Sequence, residues 1–310
     1  SAPCSPFPGQ EMGSIGPLRQ VSSRRMFRQL GVTLEMIQFE HTLFALPFAF
    51  MGALLAQDGI PSGRALLWIL VAMVAARSAA MTFNRLVDRG FDARNPRTAS
   101  RALVTPALTQ GFSWSFFTAW GFVFVVAAGM LNRLAFMLSF PVLALLLGYS
   151  FTKPFTWATH FFLGASLGCA PLGAWIAVRG SFDVPPLLLG LSVLCWTAGF
   201  DIIYSCQDVD FDRREGLQSL PKRWGVRRAL LASRLLHAAM LVVLVMVGRM
   251  LSLGPCYFLG VVLTGLLLVY EHSLIGAEDL SRVNRAFFTV NGCISILLFG
   301  LTLADRLARA

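Results

Sequence analysis

Repeated apolar runs of roughly 20 residues, each long enough to cross the hydrocarbon core of a bilayer, leave a chain like this few folds to choose from. They fall at Thr42–Ala56, Ala65–Phe83, Phe112–Met130, Leu134–Phe151, Trp157–Val178, Pro186–Tyr204, Ala229–Val247, Pro255–Val269 and Ala286–Leu303. In lipid every backbone N–H and C=O must find its partner inside the segment, so such runs read as helices. Charge content agrees: 14% of the 310 residues are charged, against roughly 25% in an ordinary soluble domain. The expectation is an all-α polytopic membrane protein with nine transmembrane helices; eight is the other count that hydropathy allows. Residues 1–28 are expected to form a flexible basic N-terminal segment, without the apolar stretch of a cleavable signal peptide, and residues 29–310 the transmembrane domain.

A net charge of +10 would suit a nucleic-acid partner if it were spread over one face, but its placement argues otherwise. Arg19, Arg24, Arg25 and Arg28 precede the first run; Arg85, Arg89, Arg94, Arg97 and Arg101 follow the second; Arg213, Arg214, Lys222, Arg223, Arg227 and Arg228 follow the sixth. The alternate connections hold single arginines, Arg64, Arg133, Arg179 and Arg249. This is the positive-inside pattern, which puts the N-terminus on the cytoplasmic side of a cell inner membrane and gives the chain lipid, not nucleic acid, as its surroundings. The six cysteines contain no Cys-x-x-Cys pair, so neither a disulfide framework nor a zinc site is expected.

Two acidic stretches end apolar runs at matching places. After the second run comes Asn84-Arg-Leu-Val-Asp88-Arg-Gly-Phe-Asp92; after the sixth comes Asp201-Ile-Ile-Tyr-Ser-Cys-Gln-Asp208-Val-Asp-Phe-Asp212. On a helix, residues four apart share a face, so Asn84, Asp88 and Asp92 line up, as do Asp208 and Asp212. Carboxylates so placed repel one another and are costly beside lipid, so cations must offset them. An oxygen-only ligand set favours Mg²⁺, a hard ion usually held by one or two carboxylates together with phosphate oxygens. The matching positions, four helices apart, suggest two four-helix halves facing one another with a closing helix, around a central cavity.

Other polar residues have a functional and an ordinary reading side by side. Arg77 lies seven residues before Asn84 on the same face. It either anchors a substrate anion or pairs with an interior carboxylate such as Asp201. Asp201 itself, two turns deeper than Asp208, either orients or deprotonates an acceptor hydroxyl or only partners Arg77. Tyr149 and Lys153 read equally as an interfacial anchor pair or as diphosphate contacts. Arg97 and Arg101 are loop charges or phosphate clamps. Glu40 and His41 open the first run, as a solvated helix start or an acceptor site, and Asn291 reads as an interhelical hydrogen-bonding group.

The quoted motifs, Asn84-x-x-x-Asp88-x-x-x-Asp92, Asp201…Tyr204…Asp208-x-x-x-Asp212 and Tyr149-x-x-x-Lys153, resemble those of the UbiA superfamily of intramembrane prenyltransferases over about residues 39–303. The resemblance implies nine helices around a central cavity and Mg²⁺ with an isoprenyl diphosphate at the two Asp motifs. It assigns metal binding to Asp88, Asp92, Asp208 and Asp212. Substrate contacts fall to Asn84, Tyr149, Tyr204, Arg97, Arg101, Glu40 and His41, and the chemistry to Asp201, Arg77 and Lys153. The segment Gln207–Gly216 and Phe39-Glu40-His41-Thr42 look like the 4-hydroxybenzoate polyprenyltransferase-like branch, although Arg85 replaces the Asp that commonly follows the first Asn. The implied activity is transfer of a polyprenyl group to 4-hydroxybenzoate or a dihydroxynaphthoate in ubiquinone or menaquinone synthesis. Another enzyme of the superfamily with a haem, chlorophyll or different acceptor is the alternative. A cation-coupled transporter is disfavoured because its carboxylates belong near the bilayer midplane.

Overall fold

The structure, a computed structural model, describes residues 31–32, 42–105 and 107–309, and every element with regular structure among them is helical. In chain order the helices are α1 Thr42–Gln57, α2 Gly63–Arg94, α3 Gln110–Leu131, α4 Arg133–Gly148, α5 Thr159–Arg179, α6 Val184–Ser205, α7 Val209–Glu215, α8 Leu220–Trp224, α9 Val226–Met250, α10 Pro255–Ser273 and α11 Asn291–Leu307. Short turns adjoin several of them: a 3₁₀ turn at Tyr149–Phe151, another at Cys206–Asp208, and a single helical turn at Val283–Arg285 followed by a π-helical turn at Ala286–Val290 that leads into α11.

Among the described residues eight helices are long and apolar enough to cross a membrane, so this is an integral membrane protein. The remaining apolar helix, α1, has 16 residues, short of the roughly 20 a full crossing takes, and the residues just before it, with Glu40 and His41, lie outside the described ones. The main departure from the sequence expectation lies in α2, which does not stop at Phe83 but runs unbroken for 32 residues and carries all of Asn84, Asp88 and Asp92 on one rod.

Local signals explain the helix ends. The side chains of Ser62, Thr109 and Asn132 each accept the N–H three residues on, at Ala65, Phe112 and Ala135, which satisfies donors that a helix start otherwise leaves open. Asn132 also donates from Nδ2 to the Ile176 carbonyl at 2.7 Å, tying the α3–α4 hairpin to the end of α5. Helices adjacent in sequence pack side by side from α2 to α6, then through α9 and α10 to α11, which returns onto α1; α1 also crosses α5. The two Asp motifs come to one end of this bundle, while Arg64, Arg133, Arg179 and Arg249 all sit at helix ends on the other.

Lipid tails are as apolar as leucine, so helices here associate by close packing and by polar contacts. At the α5–α6 seam a Cβ added to Gly168 would lie 2.6 Å from the Gly190 carbonyl oxygen, so only glycine lets these backbones approach as they do. In the other half of the bundle Trp196, fully buried among Phe44, Phe48 and Phe200, donates from Nε1 to Asn291 Oδ1 at 2.7 Å. Asn291 in turn donates to Glu271 Oε1 at 2.9 Å, so α6, α10 and α11 share one buried hydrogen-bond chain, as the reading of Asn291 anticipated.

Gly168→Val should force α5 and α6 apart and cost about 1–3 kcal/mol, seen as a lower thermal midpoint in detergent. Gly300→Ala, where an added Cβ meets open space, is the control and should leave the midpoint unchanged or higher.

Candidate functional site

Motif one builds its geometry from the continuity of α2. Asn84 Nδ2 donates to Asp88 Oδ2 at 2.9 Å, one turn on, and lies 3.4 Å from Ser150 Oγ in the 3₁₀ turn after α4. Asp92, one turn further, is buried and receives Arg101 Nη1 at 2.6 Å, while its backbone carbonyl accepts the Thr98 hydroxyl. Arg85, buried despite its charge, lies among Asp88, Asp92 and Tyr149. The loop from Asn95 to Thr109 therefore folds back on the motif that precedes it, helped by Arg89 Nε, which donates to the Leu103 carbonyl at 2.9 Å.

The same loop crosses to motif two. Arg97 grips Asp208 with both arms of its guanidinium, Nε to Oδ1 at 3.0 Å and Nη2 to Oδ2 at 2.6 Å, and its Nη1 donates to the Tyr204 hydroxyl at 2.7 Å. Burial works against the charge on Arg97, but the Asp208 hydrogen bonds and charge, with Tyr204, outweigh it and move its pKa upward. Arg94 Nε to Glu215 Oε2 at 2.8 Å is a second strap between the end of α2 and the end of α7. Motif two is not one helix: the 3₁₀ turn at Cys206–Asp208 separates α6 from α7. Asp212, on α7, is 1% exposed; among the described residues neither oxygen has a partner at full hydrogen-bond geometry, the Ser219 side chain lies in looser hydrogen-bonding reach, and Lys153 and Lys222 stand within electrostatic reach.

Lys153 stands within electrostatic reach of both Asp88 and Asp212, hence between the motifs. Its backbone carbonyl accepts the Gln218 N–H at 2.7 Å, which seats the segment after α7. That segment leaves α7 through Gly216 in the left-handed region at φ +74°, which costs glycine least. Tyr149 lies within electrostatic reach of Asp88 and Asp201.

Beneath motif one a cavity of about 250 Å³ is lined by α1 to α5, with Arg77, Asn84 and Tyr149 among otherwise mostly apolar walls. Its wall on α2 runs from Ile69 to Asn84, about 22 Å of helix at 1.5 Å per residue. Arg77 and Asn84 thus share a face, as their spacing predicts. Among the described residues Asp201 finds its hydrogen-bond partner on α5: His160 Nδ1 lies 2.6 Å from Asp201 Oδ2. His160, Asn95, Ser150 and Glu215 did not emerge from the sequence. For His160 a signal existed, since an ionisable residue inside an apolar run is worth a functional question by default. Among the described residues no three His, Cys, Asp or Glu groups close into a metal cage.

The family model for the UbiA prenyltransferase family matches residues 45–292. Similar curated proteins include the 4-hydroxybenzoate octaprenyltransferase of Chromohalobacter salexigens, 30% identical over 253 residues, 81% of this chain and 84% of that protein. The 4-hydroxybenzoate octaprenyltransferase of Alcanivorax borkumensis is 32% identical over 247 residues, 80% of this chain and 85% of its own. Among solved structures, the apo UbiA homolog from Aeropyrum pernix K1 superposes with a TM-score of 0.79 at 33% identity, covering 86% of this chain and 98% of its own. A UbiA homolog from Archaeoglobus fulgidus bound to GPP and Mg²⁺ shares the fold, with a TM-score of 0.70 at 19% identity over 89% of this chain and 99% of its own. With a family match over most of its length and relatives at this identity, the chain belongs to the UbiA prenyltransferase family and is a membrane-embedded prenyltransferase.

Proposed function

We propose that this protein transfers a polyprenyl group from an isoprenyl diphosphate to an aromatic acceptor, 4-hydroxybenzoate or a dihydroxynaphthoate, in quinone biosynthesis. The observation that carries this is the convergence of two carboxylate motifs, more than 100 residues apart in sequence, at one end of the bundle above an apolar cavity. The names of the similar curated proteins supply the acceptor class. The arginine distribution supports a cytoplasmic motif end in a cell inner membrane.

The donor set fits Mg²⁺. Asp212 offers two buried oxygens that meet no full hydrogen bond among the described residues, with only the Ser219 side chain in looser reach, an arrangement that a cation would complete. Asp88 and Asp92 on one side, and Asp208 and Asp212 on the other, would hold the ion or ions, with Asn84 beside them. Bound there, Mg²⁺ supplies the positive charge that lets carboxylates and a diphosphate share a site and stabilises the departing diphosphate. Arg97 and Arg101, now on Asp208 and Asp92, and Lys153 between the motifs bring cationic donors to the same oxygens. The apolar cavity receives the isoprenoid and keeps water from the allylic centre when its carbon–oxygen bond breaks. The acceptor ring carbon then bonds to that centre and its proton passes to the released diphosphate, and Asp201 and Arg77 are proposed to hold the acceptor. Glu40 and His41 are proposed as further acceptor contacts.

Purified protein given Mg²⁺ and a radiolabelled polyprenyl diphosphate should prenylate 4-hydroxybenzoate or 1,4-dihydroxy-6-naphthoate. Chelation with EDTA should abolish this, as should Asp88→Ala or Asp208→Ala. No Mg²⁺-dependent diphosphate binding by the intact protein would sink the reading.

Arg97→Ala leaves the buried Asp208 carboxylate without its fork and should lower kcat by about 100-fold. Arg97→Lys should recover only part of it, because a point charge cannot reproduce a bidentate grip. Steady-state transfer assays measure both, and an unchanged kcat in Arg97→Ala would place this arginine outside the reaction.

A further inference from the structure

His160 begins α5 as a 1% exposed side chain in the polar end of the bundle, and both of its ring nitrogens are committed. Nε2 accepts the backbone N–H of Leu220 at 3.2 Å. A nitrogen that accepts carries no proton, so the one proton of the neutral ring is on Nδ1 and is donated to Asp201 Oδ2 at 2.6 Å. The tautomer is therefore set by the Leu220 amide, and with it the hydrogen bond that fixes Asp201.

The two partners belong to different parts of the site. Asp201 stands on α6, two turns below Asp208. Its side chain keeps 18% of its surface open, and Tyr149 lies within electrostatic reach of it. Leu220 is the first residue of α8, where a helix has no partner of its own for the N–H. Its side chain is buried in a cluster with Ile202 and Ala229, which links the segment from Gly216 to Trp224 to α6 and α9. That segment also carries Ser219 and Lys222, the neighbours of Asp212. One imidazole thus joins the aim of an interior carboxylate to the seating of the chain over motif two.

We propose that His160 is a positioning residue for prenyl transfer. Held as the Nδ1–H tautomer by the Leu220 amide, it presents Asp201 to the aromatic acceptor and keeps the Gly216–Trp224 segment seated beside motif two. The role for Asp201 rests on the acceptor reading above; the pairing with Leu220 does not.

Two substitutions divide the ring's functions. An Asn amide places a donor where Nδ1–H stands, and a Gln oxygen reaches where Nε2 stands. In the intact protein His160→Gln should keep the Leu220 amide protected from hydrogen exchange and keep Mg²⁺-dependent diphosphate binding. Its kcat should fall about 10-fold or more as the carboxylate loses its aim. His160→Asn should retain kcat within about threefold while Leu220 exchanges faster, and His160→Ala should lose both. A His160→Gln enzyme as fast as wild type, or a His160→Asn enzyme as slow as His160→Ala at an unchanged thermal midpoint, overturns the positioning role. Leu220 exchanging equally fast in wild type and His160→Ala, beside intact transfer, overturns the pairing alone. No transfer by the wild type to any aromatic acceptor overturns the acceptor reading and, with it, the role of Asp201.

Discussion

Four carboxylates set into the end of an apolar bundle are the condition everything else must meet. Removing a carboxylate from water costs several kcal/mol unless charge and hydrogen bonds replace what water gave. The protein meets this mostly from one loop: Arg101 returns to Asp92 on its own helix, and Arg97 crosses to Asp208 on the far one. The loop after α2 is consequently the piece that joins the halves of the site. Without it the two motifs would face each other with like charges and only Lys153 between them. Arginine suits this work because its fork matches both carboxylate oxygens at once and cannot give up its charge. Asp212 stands apart, buried beside Lys153, Lys222 and the Ser219 side chain, with no full hydrogen bond to either oxygen among the described residues.

Below this charged layer the solvent for the protein is lipid, and the rules change. Several polar groups there are tied to one another: Trp196 to Asn291, Asn291 to Glu271, and His237 Nε2 to the Trp196 carbonyl at 3.2 Å. Where polar bonds are missing, small residues let the backbones touch. The cavity occupies the half of the bundle built from α1 to α5, while the polar chain and the large aromatic cluster fill the half around α6, α9, α10 and α11.

What the sequence made legible is what local periodicity and composition carry. Apolar runs located α3, α6 and α9 to within a few residues, and seven-residue spacing put Arg77 and Asn84 on one cavity wall. The i, i+4 pattern also named the carboxylates. It could not show that Asn84 to Asp92 lie on an unbroken helix while a 3₁₀ turn ending at Asp208 interrupts the path from Asp201 to Asp212, because residue spacing alone does not distinguish the two. Partners distant in sequence were the least legible. Nothing in the neighbourhood of Arg97 announces Asp208, and nothing near Asp201 announces His160, since such pairs are decided by how helices pack. Of the two readings of Arg77, the one that pairs it with Asp201 looks for an opposite charge on another span, whereas the described partner of Asp201 is the imidazole of His160.

The glycine seam between α5 and α6 has a reach beyond its own packing. The two helices run antiparallel, so the line of close approach through Gly168 and Gly190 continues toward the motif end, where Gly164 backs onto the Leu194 carbonyl and, beyond it, His160 meets Asp201. Held backbone to backbone, the two helices act as a calliper whose jaws are an imidazole and a carboxylate. The opening of those jaws is gauged in the middle of the bundle, where Gly168 and Gly190 meet backbone to backbone.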